Sequence, residues 1–315
     1  MTSPAVDLRI RGLRAAKPQV DPWSAHGALL EEERRPGGTI ERALTVFLAG
    51  AECPFSCAFC DLWRYTINGP TPPGALTAQL RKVLAAHATS KPDRLKLYNA
   101  SNFFDPRAVP SQDLPEIARM AAQFDAVTVE SHVNTIGERA IAFARQLGRR
   151  LEVAVGLETI HPLASAQLNK RLDLARFDAA AELLADNGMD LRVFVLLGAP
   201  HVPANESVDW TVRTVEYAVA RGAAVVSIIP VRGGNGEMER LAASGEFTPP
   251  TLEQLELALD RCMQFTTAVV TADTWDLGRL ASCAHCRPDR TARLERLNVT
   301  GRAEPRVSCA MCAAA

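Results

Sequence analysis

From residue 43 onward, short apolar runs alternate with longer segments in which apolar and polar positions take turns at helical spacing. The runs cover residues 44–49, 95–99, 126–130, 151–157, 191–197 and 224–229, each of strand length and rich in Val, Leu or Ile. That composition suits strands buried on both faces. Between them Leu76, Leu80, Val83 and Leu84, then Ile136, Ala140, Ile141 and Ala144, then Phe177, Ala181 and Leu184 mark amphipathic helices. Strand and helix in alternation predict right-handed βαβ units around a parallel sheet. We read an α/β fold, a partial (β/α)6 barrel of the TIM type, with an open doubly wound sheet as the alternative. In either layout the loops at the C-terminal ends of the strands carry the chemistry.

The flanks read differently. Residues 1–40 scatter Pro, Gly and charge, including the charged run at 31–35, and predict a loosely structured lead-in to a barrel over 41–250. Residues 251–271 read as one long amphipathic helix within a helical extension that reaches 274, with Cys262 as a small buried hydrophobe. Residues 275–315 form a small cysteine-bearing tail.

Composition narrows the partners. With 47% hydrophobic and 23% charged residues the chain has the make-up of a soluble globular protein, and a net charge of -1 gives no overall attraction to nucleic acid. From Asp276 onward, seven arginines (Arg279, Arg287, Arg290, Arg293, Arg296, Arg302, Arg306) face four acids; we expect a solvated basic face, with nucleic-acid contact as the alternative. The start lacks the basic and apolar segments of a signal peptide, and no stretch of 18 apolar residues occurs. A cytoplasmic protein without a membrane partner is expected. Thiols stay reduced there, so eight cysteines, seven of them clustered, point to metal rather than disulfides.

Cys53, Cys57 and Cys60 form a C-x3-C-x2-C loop directly after the first expected strand. Three thiolates can hold three irons of a [4Fe-4S] cluster, and with no fourth cysteine nearby one iron stays open to a ligand. A zinc site would want a further Cys or His, and His26 and His87 lie well outside the loop. Three idle thiols are the remaining alternative. At the ends of the third and fourth expected strands stand Glu130 and Glu158, acids that need hydrogen-bond partners if buried and so suggest ligand contact. Lys170 and Arg171 are read either as partners of a carboxylate or as helix surface. Gly198, and the Gly-Gly-Asn-Gly run at 233–236, allow a close approach to the backbone.

With an aromatic residue, Phe59, before its last cysteine, the loop resembles the signature of the radical S-adenosylmethionine (SAM) superfamily, and the resemblance extends over roughly residues 43–250. It implies that the open iron chelates SAM and that reductive cleavage gives a 5'-deoxyadenosyl radical that abstracts hydrogen from a substrate. It also implies that Phe59 packs near the adenine and that Glu130 and Glu158 serve the ribose or methionine moiety. Where the family often carries a Gly-Gly-Glu-like turn for the methionine amino group, this chain has residues 98–105, Tyr-Asn-Ala-Ser-Asn-Phe-Phe-Asp, so Asn99 and Ser101 are the candidate contacts. Val-Gly-Leu-Glu-Thr at 155–159, Leu-Asn-Lys-Arg at 168–171, and Gly236 followed by Gly-Glu-Phe-Thr-Pro-Pro at 245–250 look like the Elongator-type branch, in particular the radical SAM subunit of archaeosine synthase. The implied substrate is a small molecule or tRNA, and the implied reducing partner a flavodoxin or ferredoxin. Rival readings are a non-catalytic nucleic-acid binder and a redox-sensing cluster protein.

A second group, Cys283, Cys286, Cys309 and Cys312, forms two C-x2-C knuckles 22 residues apart. This spacing predicts a four-cysteine zinc ribbon, with an auxiliary iron–sulfur cluster as the alternative, and His285 at the surface or else as a substitute ligand.

Overall fold

The computed structural model describes residues 4–266 and 268–313. Eight strands, β1 (Gly27–Arg34), β2 (Ile40–Phe47), β3 (Arg94–Tyr98), β4 (Ala126–Glu130), β5 (Arg150–Glu158), β6 (Asp190–Leu197), β7 (Ala223–Pro230) and β8 (Val269–Ala272), lie side by side in chain order. β1 is antiparallel to β2, and β2 to β8 are all parallel. The parallel strands therefore end at one rim, as the alternation of periods predicts.

The sheet is curled, and one ion pair proves it. Glu33 on β1 and Arg192 on β6 meet at 2.8 Å, although five strand spacings, roughly 24 Å in a flat sheet, separate them in strand order. Outward-facing Leu95, Leu97, Val127, Val129, Val153, Val155, Val193 and Val195 are fully or almost fully buried in one core under the helices.

The inward faces are not apolar, as the sequence led us to expect; their lower half is ionic. Thr45, Lys96, Thr128 and Glu152 are aligned in register across β2 to β5. The Glu152 carboxylate, 0% exposed, takes hydrogen bonds from Arg35, from Arg192 at 2.7 Å and from Thr128 at 3.0 Å. Burial opposes its ionisation, but Arg192, Arg35 and Arg94 overcome that and hold it far below the usual carboxylate range. Lys96 bonds Glu31 at 2.7 Å and Glu33 at 3.3 Å. The floor of the barrel is thus a plug of paired charges.

The helices are α1 (Pro4–Gly12), α2 (Ala75–Ala86), α3 (Leu114–Ala121), α4 (Glu138–Leu147), α5 (Pro162–Gln167), α6 (Leu174–Asp186), α7 (Ser207–Ala220), α8 (Glu237–Ala243), α9 (Leu252–Phe265), α10 (Arg287–Thr300) and the short α11 (Ala310–Ala313). Among the described residues no helix is long and apolar enough to cross a membrane.

Three expectations about the flanks change. The lead-in carries α1 and β1, and β1 is charged because Glu31 and Glu33 are partners of Lys96 and Arg192 across the barrel. The helix expected over 251–271 ends at Phe265, and the β-branched Val269, Val270 and Thr271 pair with β7 as an eighth strand. The tail is no ribbon: between its two knuckles lies α10, which packs against both β1 and β8, the edges of the sheet. Cys262 is fully buried on α9, as expected.

Candidate functional site

The rim at the C-terminal ends of β2 to β7 gathers the sequence-derived candidates. The cysteine loop leaves β2, and its shape is set by bonds from three other loops. Asn169, after β5, donates from Nδ2 to the Ser56 carbonyl at 2.7 Å, and Asn235, after β7, donates to the Ala58 carbonyl at 2.7 Å and the Cys60 carbonyl at 3.3 Å. Asn102, after β3, donates to the Cys53 sulfur at 3.3 Å. Within the loop, Cys60 N donates to the Cys57 carbonyl at 3.2 Å.

Burial pushes the Cys53 and Cys57 thiols up and the Cys60 thiol up to about 12, so a metal that takes them as thiolates must displace their protons. Among the described residues the four C-terminal cysteines are the group of ligating side chains whose donor atoms all lie within 4.8 Å of one another. The loop cysteines are not gathered in that way.

Beside the loop, residues 99–101 turn over the end of β3. Ala100 is left-handed at φ 52, and the Asn99 N–H donates to the Glu130 carboxylate at 2.8 Å. Burial pushes Glu130 up to about 7 despite the N–H groups of Asn99, Ala100 and Ser101 that pull it down. Glu130 is therefore a brace for this turn. The side chains of Asn99 and Ser101 lack such partners: Asn99 is 0% exposed, yet its Nδ2 and Oδ1, like the Ser101 Oγ, have no hydrogen-bond partner. Unpaired buried amides are costly, and a bound polar ligand at the rim relieves that cost.

Across the rim, Glu158 adopts φ 70 and pairs with Lys170, whose Nζ lies 5.9 Å from the centre of the Phe59 ring. The pair folds back over Gly156, where a Cβ would fall 2.0 Å from Glu158 Oε1 and 2.2 Å from Lys170 Nζ. Phe59 itself packs against the small apolar cluster of Leu196, Ala199, Val231, Met238, Leu241 and Phe247. Arg171 pairs with Asp7 of α1. Gly198 is approached closely by Pro250, and Gly236 by the Leu13 carbonyl, so both glycines serve chain packing.

Sequence reasoning missed the N-terminal strap. Arg11 donates to the Ser56 hydroxyl at 2.9 Å and to the Pro54 carbonyl at 3.3 Å, and Arg14 and Lys17 pair with Glu52 at 2.6 and 2.8 Å. α1 and the residues after it thus lie across the cysteine loop. Asn102, Asn169 and Asn235 were also missed, although all three stand in runs already quoted: the turn at 98–105, the Leu-Asn-Lys-Arg run and Gly-Gly-Asn-Gly. The basic face is reduced: Arg290 and Arg293 are buried on Glu256, while Arg279, Arg296 and Arg306 are solvated but paired with acids. His285 is exposed and outside the four-cysteine group.

No protein-family model matches the chain, and neither does any curated protein. Solved structures do. The archaeal Methanocaldococcus infernus Elp3 with an N-terminal deletion is 16% identical at a TM-score of 0.50, over 62% of this chain and 51% of its own, so this chain spans about half its length. A radical SAM methyltransferase from Sphaerobacter thermophilus is 16% identical at a TM-score of 0.50, over 80% of this chain and 77% of its own. A spore photoproduct lyase variant with a dinucleoside spore photoproduct is 13% identical at 0.51, over 70% and 74%. At these identities it is architecture that is shared, and the chain has the fold of the radical SAM enzymes.

Proposed function

We propose that this protein is a radical SAM enzyme in which Cys53, Cys57 and Cys60 hold a [4Fe-4S] cluster whose open iron takes SAM. The observation that carries the reading is the three-cysteine loop at the end of the first parallel strand, beside the unpartnered buried amide of Asn99. Donor set and polar atoms fit the two groups: three sulfurs for three irons, and Asn99 and Ser101 for the polar methionine end. When bound, the cluster supplies the electron that cleaves SAM to methionine and a 5'-deoxyadenosyl radical.

The chain's own contribution is positioning and exclusion of water. Glu130 fixes the turn that presents Asn99 and Ser101. The Glu158–Lys170 pair sets charge beside Phe59 at the opposite side of the loop. The ionic plug closes the floor, so an organic substrate approaches from the rim. A small molecule fits this reading better than tRNA, since the tail arginines are engaged in ion pairs. A flavodoxin or ferredoxin supplies the electron. The four-cysteine group adds a second metal.

The test is iron, sulfide and electron paramagnetic resonance of anaerobically reconstituted protein. We expect about four irons held by the loop, a cluster signal that shifts on adding SAM, and loss of both in Cys57→Ala. A cluster signal indifferent to SAM would leave a redox sensor instead.

A further inference from the structure

The four-cysteine group stands apart from the rim, and its geometry is specific. All four sulfurs lie within 4.8 Å of one another, with Cys286 and Cys312 at 3.7 Å. A tetrahedral ion with metal–sulfur bonds of about 2.3 Å needs sulfurs about 3.8 Å apart. A cubane instead gives each thiolate a different iron at an outer corner, and the sulfurs are spread by the whole cube. The spacing is that of one shared ion.

Its position is equally specific. Cys286 is the N-cap residue of α10, and Cys309 and Cys312 return to it after the helix, so one ion joins the N-terminus of α10 to the segment that follows the helix. Helix α10 covers the open seam of the barrel. Leu294 and Leu297 enter the core, fully buried, and the Asn298 amide grips Ala272 on β8, accepting from its N–H and donating to its carbonyl, each at 2.8 Å. An edge strand's unpaired groups are thereby satisfied by a side chain. At the other edge Gly301, left-handed at φ 62, lets the chain pass against the Arg34 guanidinium at the end of β1. Arg290 links the site to the body: its Nε donates to the Cys286 sulfur at 3.1 Å while its Nη1 bonds buried Glu256 on α9.

We propose that Cys283, Cys286, Cys309 and Cys312 bind a single tetrathiolate ion of the zinc class, and that this ion is the clasp that keeps α10 in the seam between β1 and β8. The inference does not depend on the radical SAM reading. It requires only the C-terminal cysteines and the helix between them.

Two measurements test it on the full chain. The first is metal and acid-labile sulfide in a Cys53→Ala/Cys57→Ala/Cys60→Ala variant, which removes the loop ligands. One zinc, or one iron without sulfide, is expected; several irons with sulfide, or no metal, overturns the proposal. The second is hydrogen–deuterium exchange before and after the ion is stripped by a chelator, which avoids a Cys→Ser variant that fails to fold. Exchange should rise roughly tenfold or more in α10 and at the β1 and β8 edges, with β4 and β5 unchanged. Unchanged exchange at the seam, or unfolding of the whole chain, contradicts the clasp. Asn298→Ala supplies the control, raising exchange at β8 while the metal stays bound.

Discussion

Asn102 joins Cys53 to the strand beyond it: its Nδ2 donates to the Cys53 sulfur at 3.3 Å while its Oδ1 accepts from the His132 N–H at 2.9 Å. Hydrogen bonds to ligand sulfurs raise the potential of an iron–sulfur centre by stabilising its more negative, reduced state. Asn102→Ala should therefore lower the potential of the loop cluster at unchanged iron content. A redox titration followed by electron paramagnetic resonance checks this, and an unchanged midpoint would assign Asn102 a purely structural part.

Gly156→Ala sets a Cβ within 2.2 Å of both members of the Glu158–Lys170 pair. The atoms it meets are the far ends of two flexible side chains, so the pair either shifts aside together or separates, and separation of a buried pair costs about 3 kcal/mol. Urea unfolding should show a loss of at most that order. A loss below about 1 kcal/mol, the scale of an exposed pair, would mean that the pair relocates into water.

Glu130 makes stability depend on pH. Its folded-state pKa, raised to about 7 from 4.5, lies above its unfolded value, so the native state keeps a proton that the unfolded chain releases. Its contribution is full below about pH 4.5 and is lost as pH rises through about 7, amounting to about 3 kcal/mol over the window. Glu130→Gln should remove that part of the slope and gain stability relative to wild type at pH 8. Equal slopes for the two proteins in urea unfolding at pH 5 and pH 8 would contradict the assignment.

The strap over the cysteine loop is held by Arg11, Arg14 and Lys17. Burial raises the pKa of Glu52, but the bonds from Lys17 and Arg14 more than offset this and hold it low. Removing residues 1–17 frees Glu52 and uncovers Pro54 and Ser56. We expect the reconstituted cluster to bleach in air several-fold faster, read from its visible absorbance. Bleaching at the wild-type rate would leave the strap without a protective role.

The sequence is most legible where one face of an element alone decides its character. The outward rows of β2 to β7 are runs of Leu, Val and Ile, and their spacing was enough to place them. β1 was hidden because Glu31 and Glu33 look like surface charge until Lys96 and Arg192 are brought across the barrel. The same distance effect hid Lys96, Glu152 and Arg192 inside apolar runs. β8 was hidden by its shortness, four residues adjoining a longer helical pattern. At the site, cysteine spacing is local and could be read directly. Asn102, Asn169 and Asn235 act on loops far away in sequence, and an asparagine in a turn carries no sign of which distant carbonyl or sulfur it will meet.

The central claim is that Cys53, Cys57 and Cys60 support cleavage of SAM. Anaerobically reconstituted protein, given SAM and a low-potential reductant, should release 5'-deoxyadenosine and methionine in equal amounts, and Cys57→Ala should release neither. Intact SAM in the wild-type reaction with the cluster reduced, or equal release by the variant, would contradict it.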